Sequence, residues 1–197
     1  VENVSRVAEG VAAWLLKKKS TPRVIIGHDT RFGGAMFAAT VAQVLCAKGI
    51  KVLFSEGFVS TPMLSMGTLF LKCDFGIVIT ASHNPPAYNG FKLKGPHGGP
   101  LFPAQVSEIE QLIPAVAPAG IENFSAEDFK EQNMVEYVDL EKMYLEHAEK
   151  NFDLKLIRNS KMRFAYDAMY GAGQSALRKL LPGVISLHCE NNPGFNG

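Results

Sequence analysis

Apolar residues return every three or four positions at the start of the chain. Val4, Val7, Ala8, Val11 and Leu15 share one face, which predicts an amphipathic helix over roughly residues 2–19. Pro22 ends that pattern, and Arg23-Val24-Ile25-Ile26-Gly27 reads as a buried strand. Gly33 and Gly34 lead into an alanine-rich helix that ends near Gly49, and Lys51-Val52-Leu53-Phe54 is a second strand. Ser60-Thr61-Pro62 has the form of a helix start, with proline in the first turn, and that helix runs to about Leu71. Phe75-Gly76-Ile77-Val78-Ile79 is a third apolar strand, Gly90 to Lys94 its expected hairpin partner by position, and Pro103 to Ile113 a further helix.

The alternation predicts a three-layer α/β/α domain with a mixed sheet. Residues 114–133 carry Pro114, Pro118 and Gly120 and read as a surface excursion. Val135 to Asn151 is expected to be one linking helix. Met162 to Asp167, the turn at Gly171-Ala172-Gly173, the helix from Gln174 to Leu181 and the strand from Val184 to His188 then form one βαβ portion of a second, similar domain. The expected division is 1–133 for the first domain and 134–197 for the linker and the start of the second. Both ends read as cut, so the chain is expected to be a fragment.

Composition narrows the class only modestly. The 197 residues are 47% hydrophobic and 20% charged, an ordinary globular balance. A net charge of +1 gives no nucleic-acid footprint, and the one basic run, Lys17 to Lys19, sits where it complements a helix dipole. Cys46, Cys73 and Cys189 are odd in number and widely spaced, without a Cys-x-x-Cys, so neither a zinc site nor a disulfide framework is expected. No signal peptide or membrane-length apolar run is visible, and the expectation is a cytoplasmic protein with no membrane partner.

The chemistry concentrates after the third strand. Thr80-Ala81-Ser82-His83-Asn84-Pro85-Pro86-Ala87-Tyr88-Asn89-Gly90-Phe91-Lys92 presents a hydroxyl, an imidazole, an amide and, ten residues after the serine, an ammonium. Pro85 and Pro86 lack N–H groups and stiffen the loop. Ser82 and His83 are adjacent, and neighbours on an extended chain point to opposite sides, so a serine–histidine dyad is not expected. No Gly-x-Ser-x-Gly elbow is present either. Asp29 reads as a structural partner of Arg31 or of a loop N–H. Gly33 and Gly34 read as a helix entry rather than a phosphate cradle.

These thirteen positions, together with Gly27-His28-Asp29-Thr30-Arg31, resemble the phosphoserine loop and first-strand motif of the α-D-phosphohexomutases, the phosphoglucomutase/phosphomannomutase family. The resemblance implies that Ser82 carries a phosphoryl group, gives it to a hexose phosphate, and takes back the other phosphoryl of the bisphosphorylated sugar. It implies that Arg31 and Lys92 contact the reacting phosphate and hydroxyl, with Lys92 a general acid/base, and that His83 and Asn84 shape the loop. It also implies Mg²⁺, held here only through the Ser82 phosphate, and a sugar bisphosphate such as glucose 1,6-bisphosphate as activator. The Asp-Gly-Asp-x-Asp metal loop of the family is absent from this chain, so the fragment alone is expected to be inactive. The expected partners are sugar phosphates. A phosphoglucosamine mutase, a phosphopentomutase and a non-catalytic phosphosugar-binding module remain open alternatives, and oligomeric state is undetermined.

Overall fold

A computed structural model describes residues 1–120, 129 and 131–196. Part of the 114–133 excursion therefore lies outside the described residues.

Five strands form the main sheet: β1 (Arg23–His28), β2 (Lys51–Phe58), β3 (Phe75–Ile79), β4 (Phe91–Lys94) and β5 (Val135–Val138). Their order is β4-β3-β1-β2-β5, and β4 alone runs antiparallel, paired with β3 through Ile79↔Phe91 and Val78↔Lys92. The expected mixed sheet and the expected hairpin partner are both present. Four helices flank the first strands: α1 (Glu2–Lys18), α2 (Gly34–Ala47), α3 (Thr61–Phe70) and α4 (Pro103–Glu110).

The strands bury both faces, so their side chains divide by parity. Val24, Ile26, Val52, Phe75 and Ile77 turn to one face and pack with Val11, Leu15, Val41 and Leu45 of α1 and α2. Ile25, Leu53 and Val78 turn to the other and meet Met63 and Leu64 of α3. This is the three-layer arrangement. Cys46 and Cys73 sit in these two layers, and burial pushes their thiols up to about 12 and about 11.

One expectation is corrected. Residues 135–151 are not a single helix: Val135–Val138 pairs with β2 as a parallel edge strand, and α5 (Leu140–Asn151) begins only after it. Part of the reason is local, and part is the open β2 edge on which these residues pair. Val135-Glu136-Tyr137-Val138 has β-branched and aromatic residues, and Asp139 caps the helix by accepting the Lys142 N–H at 2.9 Å. Strand β2 also runs four residues further than Lys51–Phe54, and α6 (Leu154–Arg158) is an element the periodicity did not predict.

The second unit holds β6 (Ala165–Asp167), α7 (Ala176–Leu180) and β7 (Ile185–Leu187), with β6 and β7 parallel as expected of a βαβ portion.

Candidate active site

Strand β2 lies on one side of β1 and β3 on the other, so the winding reverses between β1 and β3. The two are parallel and in register from Val24↔Phe75 to His28↔Ile79. Their carboxyl ends therefore open side by side, at the place where doubly wound sheets admit ligands. Asp29, Thr30 and Arg31 follow β1, and Thr80, Ala81 and Ser82 follow β3. The Asp29 N–H donates to the Ile79 carbonyl at 3.0 Å, which ties the two ends together.

Ser82 is exposed on a turn closed by the Asn84 N–H donating to the Ala81 carbonyl at 3.1 Å. Its φ is 57°, in the left-handed region that L-residues with a Cβ rarely adopt. The chain is thus not extended at Ser82 and His83, and their side chains do not alternate as they would on a strand. Instead the turn itself directs the two side chains, and the structure shows no hydrogen bond between them.

Beneath the turn lies a polar network. Asp29 Oδ1 accepts the Arg31 backbone N–H at 3.0 Å, and Oδ2 accepts Arg31 Nε at 3.1 Å and the Thr80 hydroxyl at 2.6 Å. Thr80 Oγ1 in turn accepts the Ser82 N–H at 3.2 Å. Arg31 has a side chain only 2% exposed. Its Nη1 donates to the carbonyls of Pro85 at 2.6 Å and Tyr88 at 3.2 Å, and its Nη2 to those of Ser82 at 2.9 Å and Asn84 at 2.7 Å. All five guanidinium N–H groups are occupied. A direct contact from Arg31 to a phosphate would require one of these bonds to be exchanged.

A cleft of about 350 Å³ opens over this network. Asp29, Arg31, Thr80, Ser82, His83 and Asn84 line one wall, with Ser60 and Thr61 at the start of α3. Ala168, Met169, Gly171, Ala172 and Phe195 of the second unit form the other. The two walls are joined at Thr30, whose hydroxyl donates to the Tyr170 carbonyl at 2.8 Å, and the same carbonyl accepts Gln174 Nε2 at 2.9 Å. The Phe195 ring stands 5.1 Å from the Arg31 guanidinium carbon. Thr30, Thr80 and the 168–172 turn were not singled out from the sequence. Thr80 stood inside the motif and Gly171-Ala172-Gly173 was read only as a turn; nothing local indicated that the turn faces Ser82.

The structure therefore gathers Ser82, His83, Asn84 and Arg31 in one cleft. Lys92 is placed differently. It pairs with Val78 on β4, on the sheet face that carries α3, and is not part of the cleft wall. Lys94, two residues on, has its pKa lowered by burial and by the Lys92 charge. A larger pocket of about 480 Å³ lies at Phe32, Met36, Phe37 and Phe91, but no acidic, basic or nucleophilic side chain lines it.

The fit of a divalent cation can be tested on donor chemistry. Both oxygens of Asp29 are engaged as described. The Asp167 carboxyl is held below the usual range by the Met169 N–H and by His188, whose Nδ1 lies 2.9 Å from it. Among the described residues no group of three or more His, Cys, Asp or Glu side chains could hold a metal ion. The described residues do not by themselves fit a Mg²⁺ cradle. No helix among the described residues is long and apolar enough to cross a membrane.

Residues 1–119 match the family model for phosphoglucomutase/phosphomannomutase, alpha/beta/alpha domain I. The chain is 30% identical to a phosphoglucomutase of Staphylococcus haemolyticus over 98% of its length, and 32% identical to a phosphoglucosamine mutase of Maricaulis maris over 99%. It spans 36% and 43% of those two proteins. A solved structure from Thermus thermophilus, assigned as a phosphomannomutase, superposes on the whole chain with a TM-score of 0.86 at 33% identity. The match covers 44% of that protein.

Proposed function

The chain belongs to the phosphoglucomutase/phosphomannomutase family, and from that premise we propose that it carries the phosphoserine of a phosphohexomutase interconverting hexose 1-phosphate and hexose 6-phosphate. The observation that carries the reading is the exposed Ser82 on a left-handed turn at the rim of a cleft, at the reversal point of the sheet.

In this reading the phosphoryl group on Ser82 Oγ passes to a free hydroxyl of a hexose monophosphate. The P–Oγ bond breaks, the sugar O–P bond forms, and the hydroxyl proton passes through a general base to the freed Ser82 Oγ; Lys92, the base that the resemblance implies, stands on β4 outside the cleft wall and would have to approach for that role. The bisphosphorylated sugar turns, and its other phosphoryl returns to Ser82 Oγ as the sugar O–P bond breaks; the serine hydroxyl proton goes to the freed sugar oxygen. Such transfers depend mainly on positioning and charge stabilisation, so a serine held at a fixed angle in a two-walled cleft suits the task. His83 and Asn84 border the reacting group. Glucose 1,6-bisphosphate is the activator in this reading, since it can load an unmodified Ser82. Mg²⁺ would supply charge neutralisation on the phosphoryl oxygens.

The test is the peptide mass of the complete protein after incubation with glucose 1,6-bisphosphate and Mg²⁺. One phosphoryl group on Ser82 is the expected result, and an unmodified Ser82 overturns the reading. Rates with glucose, mannose and glucosamine phosphates then assign the sugar.

A further inference from the structure

The residues beneath Ser82 make a pattern that the transfer reaction does not by itself require. Both peptide groups that flank Ser82 are held by side chains. Its N–H is bonded to Thr80 Oγ1 and its carbonyl to Arg31 Nη2. Thr80 and Arg31 are in turn joined through one carboxylate oxygen of Asp29. The left-handed φ of Ser82 is thus fixed from both sides by one connected network.

The loop's own backbone supplies only a small part of these bonds, the Tyr88 N–H donating to the Pro85 carbonyl at 3.1 Å. Pro85 and Pro86 have no N–H, and four carbonyls between Ser82 and Tyr88 converge inward on a single guanidinium. A buried cation is costly unless its geometry is satisfied throughout, and here every donor is used. A lysine offers three donors from one point and cannot reproduce a planar fork that reaches five acceptors.

We propose that Arg31 is a positioning residue. With Asp29 and Thr80 it sets the angle at which Ser82 presents its hydroxyl or phosphoryl group, and it does not bind the sugar phosphate. The proposal rests on the phosphoserine reading of Ser82 but addresses a different property of the same site.

The complete protein is compared with its Arg31→Lys, Thr80→Val and Thr80→Ser variants. Phosphoryl uptake by Ser82 from glucose 1,6-bisphosphate is followed by quenched-flow mass spectrometry. Small misplacements of a reacting group cost on the order of 100-fold in rate. The expected loss is about 100-fold for Arg31→Lys and about 10-fold for Thr80→Val, with Thr80→Ser near the wild type because it keeps the hydroxyl. KM should stay within about threefold, since no binding contact is removed.

A KM raised about tenfold or more at unchanged kcat would show that Arg31 binds substrate and would overturn the proposal. Wild-type uptake in both Arg31→Lys and Thr80→Val would overturn it too. If the wild type itself takes no phosphoryl group, the phosphoserine reading fails separately, and the network is judged by amide exchange at Ser82 and Asn84. Exchange about tenfold faster in Arg31→Lys supports it, and unchanged exchange refutes it. Should Arg31→Lys fail to fold, Thr80→Val decides by the same two measurements.

Discussion

Two turns with left-handed residues border the cleft, and they are held by different means. At Ser82 the turn hangs from a sheet buried on both faces and is fixed by a buried cation that uses all its donors. At Met169 and Tyr170, with φ of 49° and 57°, it hangs from a two-stranded sheet whose residues alternate with exposed neighbours. There the bonds are the Asp167 carboxylate accepting the Met169 N–H, two neutral donors on the Tyr170 carbonyl, and backbone bonds such as the Tyr170 N–H donating to the His188 carbonyl at 3.0 Å and the Gly171 N–H to that of Ala168 at 2.8 Å. The difference teaches where rigidity resides. The first turn is built into the protein's main core, while the second is held mostly within its own unit and is tied to the first by the Thr30 hydroxyl.

Removing the cation breaks the comparison most severely. Arg31→Ala takes the guanidinium from Asp29 and from four carbonyls, of which only that of Pro85 keeps a backbone donor, the Tyr88 N–H, and loss of one partner of a buried pair costs about 3–5 kcal/mol. Urea unfolding of the chain should show a loss in that range, and a loss under about 1 kcal/mol would mean that the network contributes little. The second turn should respond more weakly. Thr30→Val removes one of two donors to the Tyr170 carbonyl, at an expected cost of about 1 kcal/mol. Hydrogen exchange should quicken at residues 168–188 and not in the main sheet; uniform quickening would contradict that account.

Ser82 itself tests the backbone. Glycine adopts its φ without strain, so Ser82→Gly should be more stable than Ser82→Ala by about 1 kcal/mol, although both lose the phosphoryl acceptor. Equal midpoints in thermal unfolding would show that the turn relaxes.

The two units should also differ in thiol chemistry. Cys46 and Cys73, pushed up to about 12 and about 11 by burial, should resist alkylation at neutral pH, while half-exposed Cys189 reacts first. The order of labelling is read by peptide mass.

The smallest effect concerns pH. Asp167 is lowered in the folded state from its ordinary 3.8 by the Met169 N–H first and His188 second. A depressed carboxyl stabilises above its unfolded value and ceases to do so as pH falls through the folded one. The second turn should therefore loosen first in acid, below about pH 4. Asp167→Asn should remove that increment of acid sensitivity, as read by exchange at Met169.

Much of the first unit was legible because its signals are local. The continuous apolar runs at residues 24–26 and 75–79 mark strands buried on both faces, and the helical spacing of α1 needs only its own residues. The βαβ form of the second unit was legible for the same reason. Strand β5 was misread because four residues beside a long helix carry little periodicity, and its strand state depends on the β2 edge being open to it. Ser82, His83, Asn84 and Arg31, which the fold brings to one cleft, were singled out by the order of residues in two motifs and by the family those motifs resemble. Thr30 and Thr80 were passed over, since a threonine announces no partner until the chain brings one near.

What the sequence by itself determined is therefore the set of elements, the serine at the end of β3 and the family that its loop resembles. Strand and helix patterns repeat over two to four residues, and such short periods can be read along the chain. Tertiary structure alone decided that β1 and β3 flank the reversal point and that Ser82 takes a left-handed φ. It also decided that Arg31 spends its donors on the loop. Those bonds join residues 51 to 57 positions apart. Their partners are selected by the winding of the sheet, which no local period encodes.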